Sequence, residues 1–161
     1  MTMKFIENIF YNLIGNYSIR RILSNQGTGE GTAHFIGYDP IKQHAASHSS
    51  NKNIVLYREE LNINYYNNKS MVKASRKYLY ILRQNTIIKY FYDDNDNSLF
   101  YQMYFTSVLP VKAEGIHQCN LDTYIAHYIF YNSDRFNLNY NVLGPYKNYT
   151  IQTSYTRIDK T

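Results

Sequence analysis

The chain has 161 residues, 44% of them hydrophobic and 18% charged, which argues against a disordered or membrane-buried protein and suits one domain over residues 1–161 with a real core. Lys plus Arg is 17 against 12 for Asp plus Glu, a formal charge of +5. The basic residues (Arg20-Arg21, Lys73, Arg76, Lys77, Arg83, Lys147) are scattered rather than clustered, so nucleic acid is not the expected partner.

Tyrosine is the compositional anomaly, with 19 copies beside 8 Phe and no Trp. Tyr favours strands and carries an apolar body with a polar tip, so the chain reads as mainly β. The single cysteine, Cys119, cannot form an internal disulfide, and a reducing cytoplasm is the expected setting. Glu7, Asn8 and Asn12 interrupt the apolar residues of Met1–Ile14, which therefore reads as neither a signal peptide nor a membrane span.

Phe5, Ile6, Ile9, Phe10, Leu13 and Ile14 recur at helical spacing, so residues 3–13 are expected to form a short amphipathic helix, ended by Gly15 and packed as a lid on a sheet. Strands follow. Tyr17–Ser24 is the first, and Gln26–Gly31 reads as a glycine-rich turn before a strand over Thr32–Tyr38. No Lys-Ser/Thr follows those glycines, so they do not read as a phosphate loop. Asp39–Asn53 is polar and reads as a loop. Its His44 and His48 are four apart, a spacing that suits a metal only on a helix, and no metal site is expected.

Further strands are expected over Ile54–Asn64, Val72–Gln84, Thr86–Tyr92, Ser98–Tyr104, Gly115–Phe130, Phe136–Leu143 and Asn148–Ile158. About nine strands with short links suggest an antiparallel meander, and closure into an up-and-down barrel removes its edges.

Gly15-Asn16-Tyr17 opens the first strand and Arg157 lies near the end of the last. This resembles the lipocalin-type barrels of the calycin superfamily, in which a Gly-x-Trp at the first strand is covered by a basic residue from the last; Tyr17 stands here at the Trp position. The chain also resembles, over nearly its whole length, an uncharacterised family of small lipocalin-like domains of unknown function. The matching pieces include residues 15–21, Gly31-Thr32-Ala33-His34-Phe35, Tyr57-Arg58-Glu59-Glu60, residues 76–80, residues 117–124 and residues 144–149. The resemblance implies the barrel fold.

Alternation assigns faces to these strands. Tyr57, Glu59 and Leu61 share one face; Arg76, Tyr78, Tyr80 and Leu82 another; Asp122, Tyr124 and Tyr128 a third; Tyr149, Ile151, Thr153, Tyr155 and Arg157 a fourth. Turned inward, they make a polar, aromatic interior able to hold one small ligand. Such buried charges must pair or meet a ligand, and Glu59–Arg76 and Asp122 with Lys147 or Arg157 are the expected pairs.

The expected function is binding a small, partly polar or anionic organic molecule inside the barrel. Tyr57, Glu59, Arg76, Tyr78, Tyr80, Asp122 and Tyr124 form the wall, with His117 and Lys147 near the mouth. His117 and Cys119 share a side where their strand starts, which suits ligand contact or simple packing. The alternatives are a small hydrolase or isomerase using Glu59 or Asp122 with His117, and an interaction module using surface tyrosines. Because some calycin barrels bind haem through one histidine, His34, His117 and His127 are candidates, with His127 expected to point outward.

Overall fold

A computed structural model describes residues 2–38, 53–68, 70–93 and 97–159, so His44 and His48 lie outside the described residues. Helix α1 (Met3–Asn12) precedes ten strands: β1 (Gly15–Leu23), β2 (Gly27–Gly37), β3 (Ile54–Tyr65), β4 (Met71–Arg83), β5 (Thr86–Phe91), β6 (Leu99–Val108), β7 (Val111–Cys119), β8 (Asp122–Asn132), β9 (Arg135–Leu143) and β10 (Asn148–Arg157). Each strand pairs antiparallel with the next, and β1 pairs with β10, for example Tyr17 with Arg157, closing the barrel. Closure leaves no unpaired edge.

Three sequence expectations are corrected. The glycine-rich stretch is strand, not turn. Asn25, in the left-handed region at φ 58, lies in the short link before it, and Gly27, Gly29 and Gly31 sit at alternate positions of β2. Gly115–Phe130 is not one strand but the hairpin β7–β8. Asn120, at φ 54, reverses the chain so that His117 pairs with Tyr124 and Cys119 with Asp122. A continuous strand would have placed the odd-numbered and even-numbered residues on opposite sides; the hairpin puts the odd-numbered residues of β7 and the even-numbered residues of β8 on one inner face. There are therefore ten strands rather than about nine. Between β5 and β6 the register slips: Lys89 faces Tyr101 while Tyr90 faces Leu99. The extra residue, Phe100, is buried along with Tyr101, so one bulge sends two consecutive rings inward.

The two ends differ in what fills them. At one end α1 buries Ile6 and Phe10, the latter with no exposed surface, over Tyr17, Phe35, Phe130 and Phe136. Arg157 locks this end. Its guanidinium lies 4.8 Å from the Tyr17 ring centroid and donates to the carbonyls of Ile14 (2.8 Å) and Asn12 (2.6 Å) and to Tyr17 Oη (2.7 Å). Those carbonyls belong to the end of the helix and the residues just beyond it, where no intrahelical donor is available. Gly15, at φ 152, sits where a Cβ would run into that guanidinium. The Arg-over-aromatic contact that the resemblance to lipocalin-type barrels implied is therefore present. Among the described residues no helix is long and apolar enough to cross a membrane.

Candidate functional site

At the other end the hairpin turns ring a cavity of about 760 Å³. Its inner wall carries Arg21, Glu59, Tyr78, Lys89, His117 and Tyr140, and a layer of phenols forms its floor. This volume lies within the usual range for small-molecule sites, ~300–1,000 Å³.

Glu59 on β3 is 4% exposed and takes a two-pronged bond from Arg21 on β1, with Nη1 to Oε1 at 2.8 Å and Nη2 to Oε2 at 2.7 Å. Strand β2 lies between them. Arg21 is opposite Gly29 and Glu59 is opposite Ala33, so β2 offers nothing larger than a methyl group where the arginine crosses. The partner expected from sequence, Arg76, is indeed opposite Glu59 in register, but it is exposed and its side chain stays at the cavity wall. Arg21 reaches inward instead because the glycines clear its path.

Tyr57 Oη adds a 2.5 Å bond to Glu59 Oε2 and lies 3.0 Å from Tyr155 Oη. Burial alone would raise the Glu59 pKa, but Arg21 and Tyr57 outweigh it and hold the carboxyl below its ordinary value. Burial likewise opposes charge on Arg21, and the Glu59 bonds override it, keeping the guanidinium firmly protonated.

Lys89 on β5 is the other buried charge, at 2% exposure. Among the described residues no carboxylate pairs with it. Its Nζ donates to Tyr140 Oη at 3.1 Å and sits 4.0 Å from the Tyr78 ring centroid, with Tyr80, Phe100 and Tyr101 within 5.5 Å. Burial brings its pKa down to about 7, partly offset by the Glu59 charge. The phenols continue from it: Tyr140 Oη to Tyr101 Oη at 2.7 Å, Tyr101 to Tyr128 at 2.7 Å and Tyr128 to Tyr80 at 3.2 Å. The Tyr101 ring needs a small residue beside it on the neighbouring strand β7, since a Cβ on Gly115 would strike it.

Of the residues expected from sequence, Tyr57, Glu59, Arg76, Tyr78, His117 and Tyr124 line the cavity. Tyr80 lies in the floor beneath it, with its hydroxyl spent on Tyr128. Asp122 and Lys147 make the expected ion pair (2.5 Å) at the rim, and Lys147 also donates to Tyr124 Oη at 3.3 Å. Arg21 and Lys89 were not expected there. Arg21 alternates with Tyr17, Ile19 and Leu23, all buried, and that pattern is readable in the sequence. Lys89 alternates with Ile87 and Phe91, but the opposite face of its strand holds Ile88 and Tyr90, so the pattern is mute.

His117 donates Nδ1–H to the Phe100 carbonyl at 2.9 Å, since a carbonyl can only accept; in the neutral ring Nε2 then carries the lone pair. Of the three histidines weighed for haem, only His117 lines the cavity. His127 faces outward toward Glu114 (3.3 Å) and His34 bonds the Asn16 side chain (2.6 Å). The carboxylate–histidine pair that acid–base chemistry requires is not assembled: Glu59 is committed to Arg21 and Tyr57, Asp122 to Lys147, and His117 to a backbone carbonyl. Cys119 is exposed at the rim, and no cluster of metal-ligating side chains exists among the described residues.

Comparison with protein families matches residues 13–157 to the family of unknown function DUF6314. The chain belongs to that family. No curated protein matches this DUF6314 chain. Among solved structures it is similar to the S-type phycobiliprotein lyase CPES from Guillardia theta, with 9% identity, 100% of this chain and 99% of the other covered, and a TM-score of 0.62. A redesigned β-barrel, mFAP1, bound to DFHBI, matches with 9% identity, 91% and 96% coverage and a TM-score of 0.41. At these identities the CPES likeness establishes the lipocalin-like barrel fold alone.

Proposed function

We propose that the barrel binds a small, partly polar or anionic organic molecule through its hairpin end. The observation that carries this reading is Lys89: a buried lysine with no carboxylate partner among the described residues, on the wall of an open cavity of about 760 Å³. A purely structural interior would pair or exclude that charge, because an isolated buried ion costs several kcal/mol. Arg21 and Glu59 cancel, so Lys89 in its protonated form leaves the interior net positive, and Arg76 stands at the wall. The aromatic wall and floor suit an unsaturated body. A filled interior would favour the interaction-module reading, and this end is open instead.

Titration with anilinonaphthalene sulfonate, an anionic aromatic probe, tests the reading. Saturable one-to-one binding is expected, weakened about tenfold in Lys89→Met, the loss of one desolvated charge contact. Absence of binding, or equal binding by the variant, overturns it. Native mass spectrometry of gently purified protein would reveal a retained occupant.

A second reading is favoured by one contact. The Nδ1–H bond of His117 to a carbonyl is the arrangement that orients an imidazole to bind a metal through Nε2. His117, its imidazole held edge-to-face by Phe91 and Phe100, would then be the residue to hold a haem iron. A Soret shift with hemin that disappears in His117→Ala supports it; no shift removes it.

A further inference from the structure

We infer that Lys89 captures carbonyl compounds, forming a reversible imine with a planar conjugated aldehyde held in the barrel. This rests on the reading of the cavity as a ligand pocket and adds the chemical class of the ligand.

The argument begins with what surrounds the amine. Lys89 Nζ has one hydrogen-bond partner, the Tyr140 phenol, and no ion pair among the described residues. Lysines that serve only as charges pair with carboxylates, but the buried carboxylate of this interior, Glu59, is already closed by Arg21 and Tyr57. What remains is a desolvated amine facing space, the setting in which lysines act as nucleophiles. Burial supports this by bringing its pKa to about 7, so free amine is abundant at neutral pH.

The walls point to a flat partner. The Tyr78 and Phe100 rings lie 5.7 Å apart and 19° from parallel; Phe100 and Tyr140 lie 6.0 Å apart and 15° from parallel. Phe91 stacks on Phe100 at 4.3 Å. These rings stack on one another and present flat aromatic surface beside Nζ for a conjugated plane to lie against, and an aldehyde carbon presents little bulk to a buried nitrogen.

The step balances without oxidant or reductant. The Nζ lone pair attacks the carbonyl carbon, forming C–N while the C=O π pair moves to oxygen. The two nitrogen protons pass to that oxygen, the C–O bond breaks, and one water leaves as C=N forms. Tyr140, with its hydroxyl shared with Tyr101, stands where a phenol can hand a proton to the departing oxygen and recover one from nitrogen.

Cinnamaldehyde, with cinnamyl alcohol as the carbonyl-free control, tests this on the full chain. After incubation with equimolar aldehyde, borohydride reduces any C=N to a stable secondary amine, and peptide mapping locates it. The adduct is expected at Lys89 in preference to every other lysine by at least about tenfold, reflecting its larger free-amine fraction. Both Lys89→Met and Lys89→Arg should lose it while retaining the wild-type circular dichroism; the arginine keeps the charge but forms no stable imine. Labelling spread over surface lysines with Lys89 unmodified, while cinnamyl alcohol still binds, overturns the imine and leaves the pocket standing. Failure of both the alcohol and anilinonaphthalene sulfonate to bind overturns the pocket reading and the imine together.

Discussion

The two ends of the barrel obey one alternation rule and reach opposite results. At the helix end the inward residues are rings, Tyr17, Phe35, Phe130 and Phe136, and α1 supplies Phe10 to fill the space between them. Polar groups there have partners: Arg157 gathers the carbonyls of Asn12 and Ile14 and the Tyr17 hydroxyl. At the hairpin end the inward residues include Gly27, Gly29, Arg21, Lys89 and His117, and no element covers them among the described residues. Closure of a sheet creates an interior; whether that interior becomes a core or a pocket depends on what the strands and the covering element place in it.

The contrast can be broken first at the closed end. Phe10→Ala should lower unfolding free energy by about 3–5 kcal/mol, the cost of a large cavity in a packed site, with the loss read in urea denaturation. Ligand probes entering the hairpin end should still bind the folded variant; if they do not, the two ends are not separable.

Glu59→Gln should cost a similar or slightly smaller amount, about 3 kcal/mol, because it strands Arg21 without its carboxylate. The Glu59 pKa is lowered on folding, so its contribution is present above the unfolded value and is lost as pH falls through the lower folded one. Acid unfolding should therefore be less steep below about pH 4 in the variant than in the wild type.

Lys89→Met should act in the opposite direction, gaining about 1–4 kcal/mol, since a hydrophobe of similar length relieves the buried charge. The sign with pH follows from its shift from 10.5 to about 7. Between those values the unfolded chain binds more protons, so wild-type stability should rise with pH; below about 7 the penalty is present in full. The variant should lack that slope. A wild-type protein with flat stability across this window would show that Lys89 is not desolvated.

The smallest effect belongs to the rim. Asp122→Asn removes an ion pair to a lysine that is substantially solvated, and the thermal denaturation midpoint should hardly move. A larger loss would mean that the rim is part of the core and that the two-end picture is too simple.

Much of the site was legible because alternation survives folding. Tyr57 and Glu59, Arg76 and Tyr78, and Tyr124 line the cavity from the faces that period-two spacing assigned. Lys89 was not legible, since its strand is apolar on both sides. Phe100 and Tyr101 break the rule outright, because a bulge sends consecutive residues inward, and nothing in residues 98–104 marks it. Glu59 was assigned the wrong partner for a related reason. Register puts Arg76 beside it, but the choice depends on which cation can reach inward past its neighbours.

The sequence by itself determined the β-barrel class, the amphipathic helix on one end, the Arg157–Tyr17 contact and the inward faces of several strands. The helix and the inward faces follow from local spacing and from side chains that must leave water, and the Arg157–Tyr17 contact from the resemblance to lipocalin-type barrels. Only the tertiary structure decided that Asn120 folds residues 115–130 into a hairpin, that the glycines of β2 let Arg21 cross to Glu59, and that Lys89 is left without a carboxylate among the described residues. Each of these depends on register between strands distant in sequence, which the alternation along any single strand does not encode.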